Sequence, residues 1–342
     1  MNYDDKNITI KDIAREAGVS VATVSRVINN KDIVEKSTKK KVLEIIAKYN
    51  YTPNVYAKAL VSKQKKNIGL IFPYNENMLE DLYLTEITYY MEKNVIDFGY
   101  DFSLFFSHND DISDIEKQYI NLFNSGKVDG LIIGGVQLKD ESLKPLIERH
   151  LPFVLIGSTP AYLKNNFVDV EHKTIVKNTV RRFFKKGMSR IMYFGSSLLF
   201  SAAVDKLNGF KDALLEKGIK NVDDFIFLNI RSYIDAYELV EELIEDKRIP
   251  DMFFCDHDMI AWGVINALLY NNIRVPDDVS VVGYNDIKIA KFFYPSLSTI
   301  KLPIDRMAEY TVESLIKIIR GENKTIKKKI FSGEFVKRWS SL

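Results

Sequence analysis

Cysteine is almost absent from this chain: Cys255 stands alone among 342 residues. An intramolecular disulfide framework is therefore excluded, and the thiol content fits a reducing compartment. Histidine is also scarce, with four residues, none paired at a zinc-ligand spacing. No apolar run approaches the ~20 residues that a membrane span needs. The opening MNYDDKNITI is polar and acidic, unlike a signal peptide. Nucleophile elbow and P-loop patterns are missing as well. No enzyme, metal or cofactor is expected, and the expected setting is cytoplasmic. Tandem repeats and low-complexity tracts are not seen.

Hydrophobic residues make up 46% and charged residues 27%, a globular composition with material for a sizeable core. The length suits two or three domains. The net charge of +2 conceals an asymmetry. Residues 1–66 hold 14 Lys/Arg against 7 Asp/Glu, a net +7, so the remainder carries −5. A small basic head on a mildly acidic body suits a polyanionic partner; a solvated surface with chance clustering is the other reading.

The head carries local helix signals. Thr9-Ile-Lys-Asp12 is a capping signal, followed by helix-spaced Ile10, Ile13, Ala14 and Ala17. Gly18 ends that helix, since glycine enters a left-handed turn without steric cost. Ser20 can cap a second helix, Val21 to about Asn29, which buries Val24, Val27 and Ile28. A third, about Lys36 to Tyr49, is expected to turn Val42, Leu43, Ile46 and Ala47 inward. Two short helices around a glycine turn make a helix-turn-helix. The second helix opens with small and polar side chains able to approach bases and phosphates. An ordinary three-helix bundle is the competing reading.

Pro53 then stops the third helix, and Asn54 can cap a short one. Val55 to Val61 is too short to be stable alone in water, which makes it a candidate for folding on DNA. Lys58, Lys63, Lys65 and Lys66 add phosphate-seeking charge. Leu60 is a candidate wedge between base steps, or an idle linker leucine.

Ile10 to Asn29 resembles the signature of the lactose/galactose repressor family (LacI/GalR), and Asn50 to Leu60 resembles its hinge helix. The motifs are long, gapless and in order. The resemblance implies that Val21 and Ala22 open a recognition helix, with Thr23, Ser25, Arg26 and Asn29 adding base and phosphate contacts. Thr9, Ser20, Thr38, Tyr51 and Asn54 would position the DNA backbone, while Ala57 and Leu60 would enter the minor groove. A homodimer on near-palindromic double-stranded operator DNA follows from that likeness.

From Asn67 onward, apolar strand-like runs alternate with helical stretches. The runs are 68–72, 102–106, 130–133, 153–156, 191–194, 252–255 and 279–282. This rhythm predicts parallel sheets covered by helices on both faces. Val279–Asp286, Tyr294–Ile300 and Phe335–Ser341 resemble late elements of the same family. The implied fold class is α/β: an all-α helix-turn-helix domain (1–53), a hinge helix and linker (54–66), and a periplasmic-binding-protein-like core (67–342). The core would hold two doubly wound subdomains, 67–166 with 299–326 and 167–298 with 327–342. The family's tetramer-forming extension is not seen, which favours a dimer.

Ligands of open α/β sheets bind beyond the strands' C-terminal ends. Candidates there for a small effector, expected to be a sugar, are Tyr83, Lys206, His257, Asp258 and Asn285. Lys206 stands where the family has an effector-gripping arginine, His257 where it has asparagine, and Asn285 where aspartate is common. Each has a plainer reading: a helix cap for Asp258, a solvated charge for Lys206, a structural histidine for His257. Tyr83, Trp262 and Phe200 are either stacking platforms or core. The segment 168–210 most resembles maltose-operon repressors of Gram-positive bacteria, which makes maltose or a maltodextrin a candidate. The alternative is a global catabolite-control regulator with a phosphorylated carrier protein as corepressor.

Overall fold

The computed structural model describes residues 8–28, 34–51, 65–73, 82–107 and 111–342. They form two compact units that divide between Lys65 and Lys66.

The first unit contains α1 (Ile10–Ala17), α2 (Val21–Ile28) and α3 (Lys36–Lys48). Local chemistry sets their ends. The Asp12 carboxylate accepts the Thr9 N–H at 3.0 Å and the Thr9 hydroxyl at 2.6 Å. Gly18 sits at φ 70°, in the left-handed region, and the Val19 N–H reaches back to the Ala14 carbonyl at 3.0 Å. The Ser20 hydroxyl receives the Thr23 N–H at 3.1 Å, capping α2. Ile13, Ala14, Ala17, Val24, Val27, Val42 and Ile45 form the core. The inward face of α3 thus differs from the expected one. Val42 and Ile45 are buried and Ile46 packs beside them, whereas Leu43 is 46% exposed and Ala47 lies outside. Positions 42, 45 and 46 share one stripe, and 43 lies about 100° round the helix from 42.

The second unit holds two six-stranded sheets. The first contains β1 (Asn67–Phe72), β2 (Asp101–Phe106), β3 (Gly130–Gly134), β4 (Phe153–Ile156), β5 (Phe167–Val170) and β11 (Lys329–Phe331), all parallel, in the order β11-β5-β4-β3-β1-β2. The second contains β6 (Ile191–Phe194), β7 (Ile226–Phe227), β8 (Met252–Cys255), β9 (Ser280–Asn285), β10 (Ser298–Lys301) and β12 (Glu334–Val336). Its order is β12-β10-β9-β8-β6-β7, antiparallel only between β10 and β12. Each sheet reverses its winding between its first and third strands, β1/β3 and β6/β8, so both subdomains repeat one topology. β1, β3, β4, β6 and β8 are apolar runs buried on both faces, as helix-covered parallel strands require.

The helices are α4 (Leu82–Asp97), α5 (Ile112–Asn124), α6 (Lys144–Glu148), α7 (His172–Lys185), α8 (Ser201–Glu216), α9 (Tyr233–Glu245), α10 (Asp258–Tyr270) and α11 (Ile304–Ile319). Two glycines allow helices to touch backbone to backbone. A Cβ on Gly209 of α8 would collide with the Lys173 carbonyl of α7, and one on Gly263 of α10 with the Tyr233 carbonyl of α9. None of the described helices is long and apolar enough to cross a membrane.

The chain crosses between sheets three times: from β5 to α7 at Glu171, from β10 to α11 at 302–303, and from β11 to β12 at 332–333. The expected subdomain limits move accordingly. Residues 167–170 stay with the first sheet, 298–301 belong to the second, and 329–331 return to the first. Pairing with neighbouring strands decides these allegiances, and apolar patterning does not reveal it.

Gly263→Ala should lower stability by roughly 1–3 kcal/mol through overpacking. A urea unfolding midpoint unchanged from the parent would contradict the close α9–α10 contact.

Candidate DNA-reading helix and effector cleft

On the first unit, α2 buries Val24 and Val27 and leaves Val21, Ala22 and Arg26 exposed, with Thr23 and Ser25 half-buried. Ser20 and Thr23 are further joined hydroxyl to hydroxyl at 2.9 Å, which orders the start of the helix. Thr9 is exposed, Thr38 is half-buried on α3, and Tyr51 packs on the three-helix core. Asn29, Asn54, Ala57 and Leu60, with the expected hinge helix at 55–61, lie outside the described residues.

On the second unit, hydrogen bonds join the segments that follow the C-terminal strand ends of the two sheets. The first crossover is pinned by a buried relay. The His172 ring meets the Tyr284 hydroxyl of β9 through Nδ1 at 2.6 Å and the Asp169 carboxylate of β5 through Nε2 at 3.1 Å. A carboxylate only accepts, so Nε2 carries the proton in the Asp169 contact. The Glu171 N–H joins the Phe331 carbonyl at 2.9 Å, tying the first crossover to the third. Between the two subdomains, the Leu138 N–H meets the Leu199 carbonyl at 2.8 Å, and the Thr159 N–H meets the Ser201 hydroxyl at 2.9 Å. On another side the Lys288 N–H donates to Glu86 at 2.6 Å.

Asp256, directly after β8, is 0% exposed. Its Oδ2 accepts the Ser196 N–H at 2.9 Å and the Ser196 hydroxyl at 2.6 Å. Ser196 follows β6, so this pair marks the second sheet's switch point. Lys206 of α8 donates to the Asp256 carbonyl at 2.8 Å, stands 3.8 Å from its carboxylate and lies over the Tyr284 ring at 4.7 Å. His257 stands 3.9 Å from the same carboxylate. Burial would raise the Asp256 carboxyl, but Lys206, His257 and the Ser196 donors outweigh it and hold the carboxyl below its ordinary range. Sequence reasoning passed over Asp256 in favour of its two neighbours. The available signal was its position, a charged residue placed at once after four buried strand residues.

The other candidates divide. Tyr83 packs between the cores of both subdomains, and its phenol lies within electrostatic range of Tyr284. Asn285 closes β9 with φ 105°, in the left-handed region, beside Asp286 at φ 57°. Trp262 stacks on Phe293 at 4.8 Å inside the second subdomain, so it is core. Asp258 is a structural tie. Its carboxylate accepts the Thr299 hydroxyl at 2.6 Å and the Ile287 N–H at 2.8 Å, fastening α10 to the ends of β9 and β10. With both oxygens engaged, it has none to offer an effector.

Residues 9–54 match the family profile for bacterial regulatory proteins of the lacI family, and residues 180–341 match a periplasmic binding protein-like domain. The HTH-type transcriptional regulator RegA of Clostridium saccharobutylicum is 32% identical over 337 residues, covering 98% of this chain and 99% of that protein. The chain belongs to the lacI family. It is a helix-turn-helix transcriptional regulator with a periplasmic-binding-protein-like core. Catabolite control protein A of Priestia megaterium is 29% identical over 317 residues, covering 92% of this chain and 94% of that protein. The fold also matches a lac repressor dimer bound to operator and the anti-inducer ONPF, at TM-score 0.87 and 23% identity over 98% of this chain and 100% of that one.

Burial, foremost, raises the Asp258 carboxyl from 3.8 to about 7. Between those values the folded chain holds a proton that the unfolded chain releases. The stability this group contributes is therefore full below about 3.8 and is lost as pH rises through about 7. The stability of the parent relative to Asp258→Asn should fall as pH rises from about 5 to about 8. A difference that stays flat in pH-dependent urea unfolding would contradict the assignment.

Proposed function

We propose that this regulator is a repressor that binds a near-palindromic operator as a homodimer and is controlled by a small sugar in the inter-subdomain cleft. The observation that carries the DNA half is the outer face of α2, where Val21, Ala22 and Arg26 stand exposed on a helix whose start is fixed by Ser20 and Thr23. Small side chains there let the helix approach base edges, and Arg26 supplies a phosphate or guanine contact. Thr9, Ser25, Thr38 and Tyr51 complete the proposed contact set among the described residues, with Asn29, Asn54, Ala57 and Leu60 proposed from the family likeness. The RegA likeness over nearly the whole chain supports the same reading.

For the effector, Tyr83, Lys206, His257 and Asn285 gather aromatic, cationic and amide groups around the strand ends, the mixture a sugar site uses. The lac repressor likeness, with its anti-inducer ONPF, supports a cleft ligand. Maltose remains one candidate among neutral sugars. The similarity to catabolite control protein A supports a second reading, in which a phosphorylated carrier protein acts as corepressor.

An apolar face supports dimerisation. Phe292 and Tyr294 are 76% and 86% exposed, and Trp339 is brought near them by the Ser340 N–H bond to the Ser296 carbonyl at 3.0 Å. Large aromatics displayed together mark an interaction surface.

Arg26→Ala should weaken binding to DNA from the protein's own promoter region by roughly tenfold or more, and reduce the slope of log affinity against log salt by about 1 if the contact is to phosphate. Gel-shift titrations at several salt concentrations measure both, and an unaltered affinity would remove α2 from the interface. The double variant Phe292→Asp, Tyr294→Asp should sediment as a monomer at concentrations where the parent is a dimer. A variant dimer of parental strength would locate the interface elsewhere.

A further inference from the structure

At the switch point of the second sheet, the charges are already spoken for. The Lys206 ammonium is held by the Asp256 carbonyl, the Asp256 carboxylate and the Tyr284 ring, and its side chain is 12% exposed. The nearby Arg338 guanidinium pairs with Asp286 at 2.6 Å and donates to the Leu297 carbonyl at 2.8 Å. Neither cation is in excess over its carboxylate. Acidic groups also gather on this side. Asp205, next to Lys206, is exposed at the surface, yet partial desolvation raises its carboxyl, with Asp169 and Glu171 adding to the rise while His172 and Lys173 oppose it.

Two polar atoms in the same interior have no hydrogen-bond partner among the described residues: Asp256 Oδ1 and the Tyr193 hydroxyl. Burial, with Asp256 next in effect, pushes the Tyr193 phenol up, so it remains a neutral O–H. Buried polar atoms in native proteins are nearly always satisfied, and a carboxylate oxygen is satisfied only by a donor. His257, 3.9 Å from the Asp256 carboxylate, keeps 28% of its side chain exposed.

We propose that Asp256 sets the charge class of the effector: by neutralising Lys206 it makes this end of the cleft a site for uncharged molecules rich in hydroxyl donors and closes it to phosphorylated or carboxylated ones. This rests on the sugar-effector reading above and names the chemistry that reading leaves open. An incoming phosphate would meet the Asp256 carboxylate with Lys206 already committed to it, whereas a sugar hydroxyl can donate to Oδ1 without disturbing the ion pair. Lysine suits this arrangement, because a compact ammonium can sit on one carboxylate and one carbonyl where a planar guanidinium would demand a wider set of acceptors.

The test is a thermal-shift series on the full chain with glucose, maltose and cellobiose as neutral probes, and glucose 6-phosphate, glucuronate and inorganic phosphate as anionic ones. The parent should answer to neutral sugar and not to the anions. Asp256→Asn, similar in shape but uncharged, leaves Lys206 unpaired and should gain affinity for glucose 6-phosphate by roughly tenfold or more. Asp256→Ser serves if the Asn variant does not fold, and adding Lys206→Gln to either should abolish the gain. Stabilisation of the parent by the anions as strong as by neutral sugars would overturn the proposal. So would a folded Asp256 variant with no new response to anions. Silence toward every neutral sugar, together with the gain in the variant, would retire the sugar reading and leave the role of Asp256 standing.

Discussion

The triple passage of the chain between two sheets is the constraint on which the rest of the core depends. Each sheet alone is an open α/β layer whose strand ends could hold a ligand. Crossing at 171, 302–303 and 332–333 sets those ends against each other. The Asp169–His172–Tyr284 relay fastens the first crossing to both sheets with side chains that are almost wholly buried. A buried chain of this kind is stabilising only while every member is satisfied, so it holds the crossing in one geometry. Further contacts run through Leu138, Ser158, Thr159 and Glu86.

The N-terminal unit was legible because its signals are local. A capping pair, a glycine at the end of a helix and a serine three residues before a threonine act within one turn, and the structure uses each of them. The seven strand runs read from the apolar pattern coincide with strands, and all but the edge strand β2 do so because burial on both faces leaves an unbroken hydrophobic stretch. Short strands such as β7 and β11 were not legible, because two or three residues carry no period and their pairing comes from distant partners, and β12 was reached only through the family resemblance of Phe335–Ser341. Leu43 shows the same limit on a helix, because the side of α3 that faces inward depends on how α1 and α2 dock.

At the cleft, sequence reasoning reached the right strand ends and divided the residues there imperfectly. It chose Lys206, which takes part in the charge network, and Asp258, whose carboxylate instead closes the turn from β9 to β10. Asp256 between them was missed because one residue's shift along a strand end decides whether a side chain meets the interior or its neighbour. The departure at Lys206 and the acid at Asp256 make sense only together. A cation that looks like a ligand grip in isolation is, in the fold, half of a buried pair.

DNA affinity can respond to the cleft only as far as the effector prefers one arrangement of the subdomains over another, and the coupling must be reciprocal. The most direct test is a fluorescence-anisotropy titration of full-length protein against its own promoter DNA, repeated at saturating concentrations of each neutral sugar. The account predicts saturable binding that one sugar shifts by roughly fivefold or more in either direction, with the affinity for that sugar changed by the same factor when DNA is bound. Tight DNA binding that no sugar alters would contradict it.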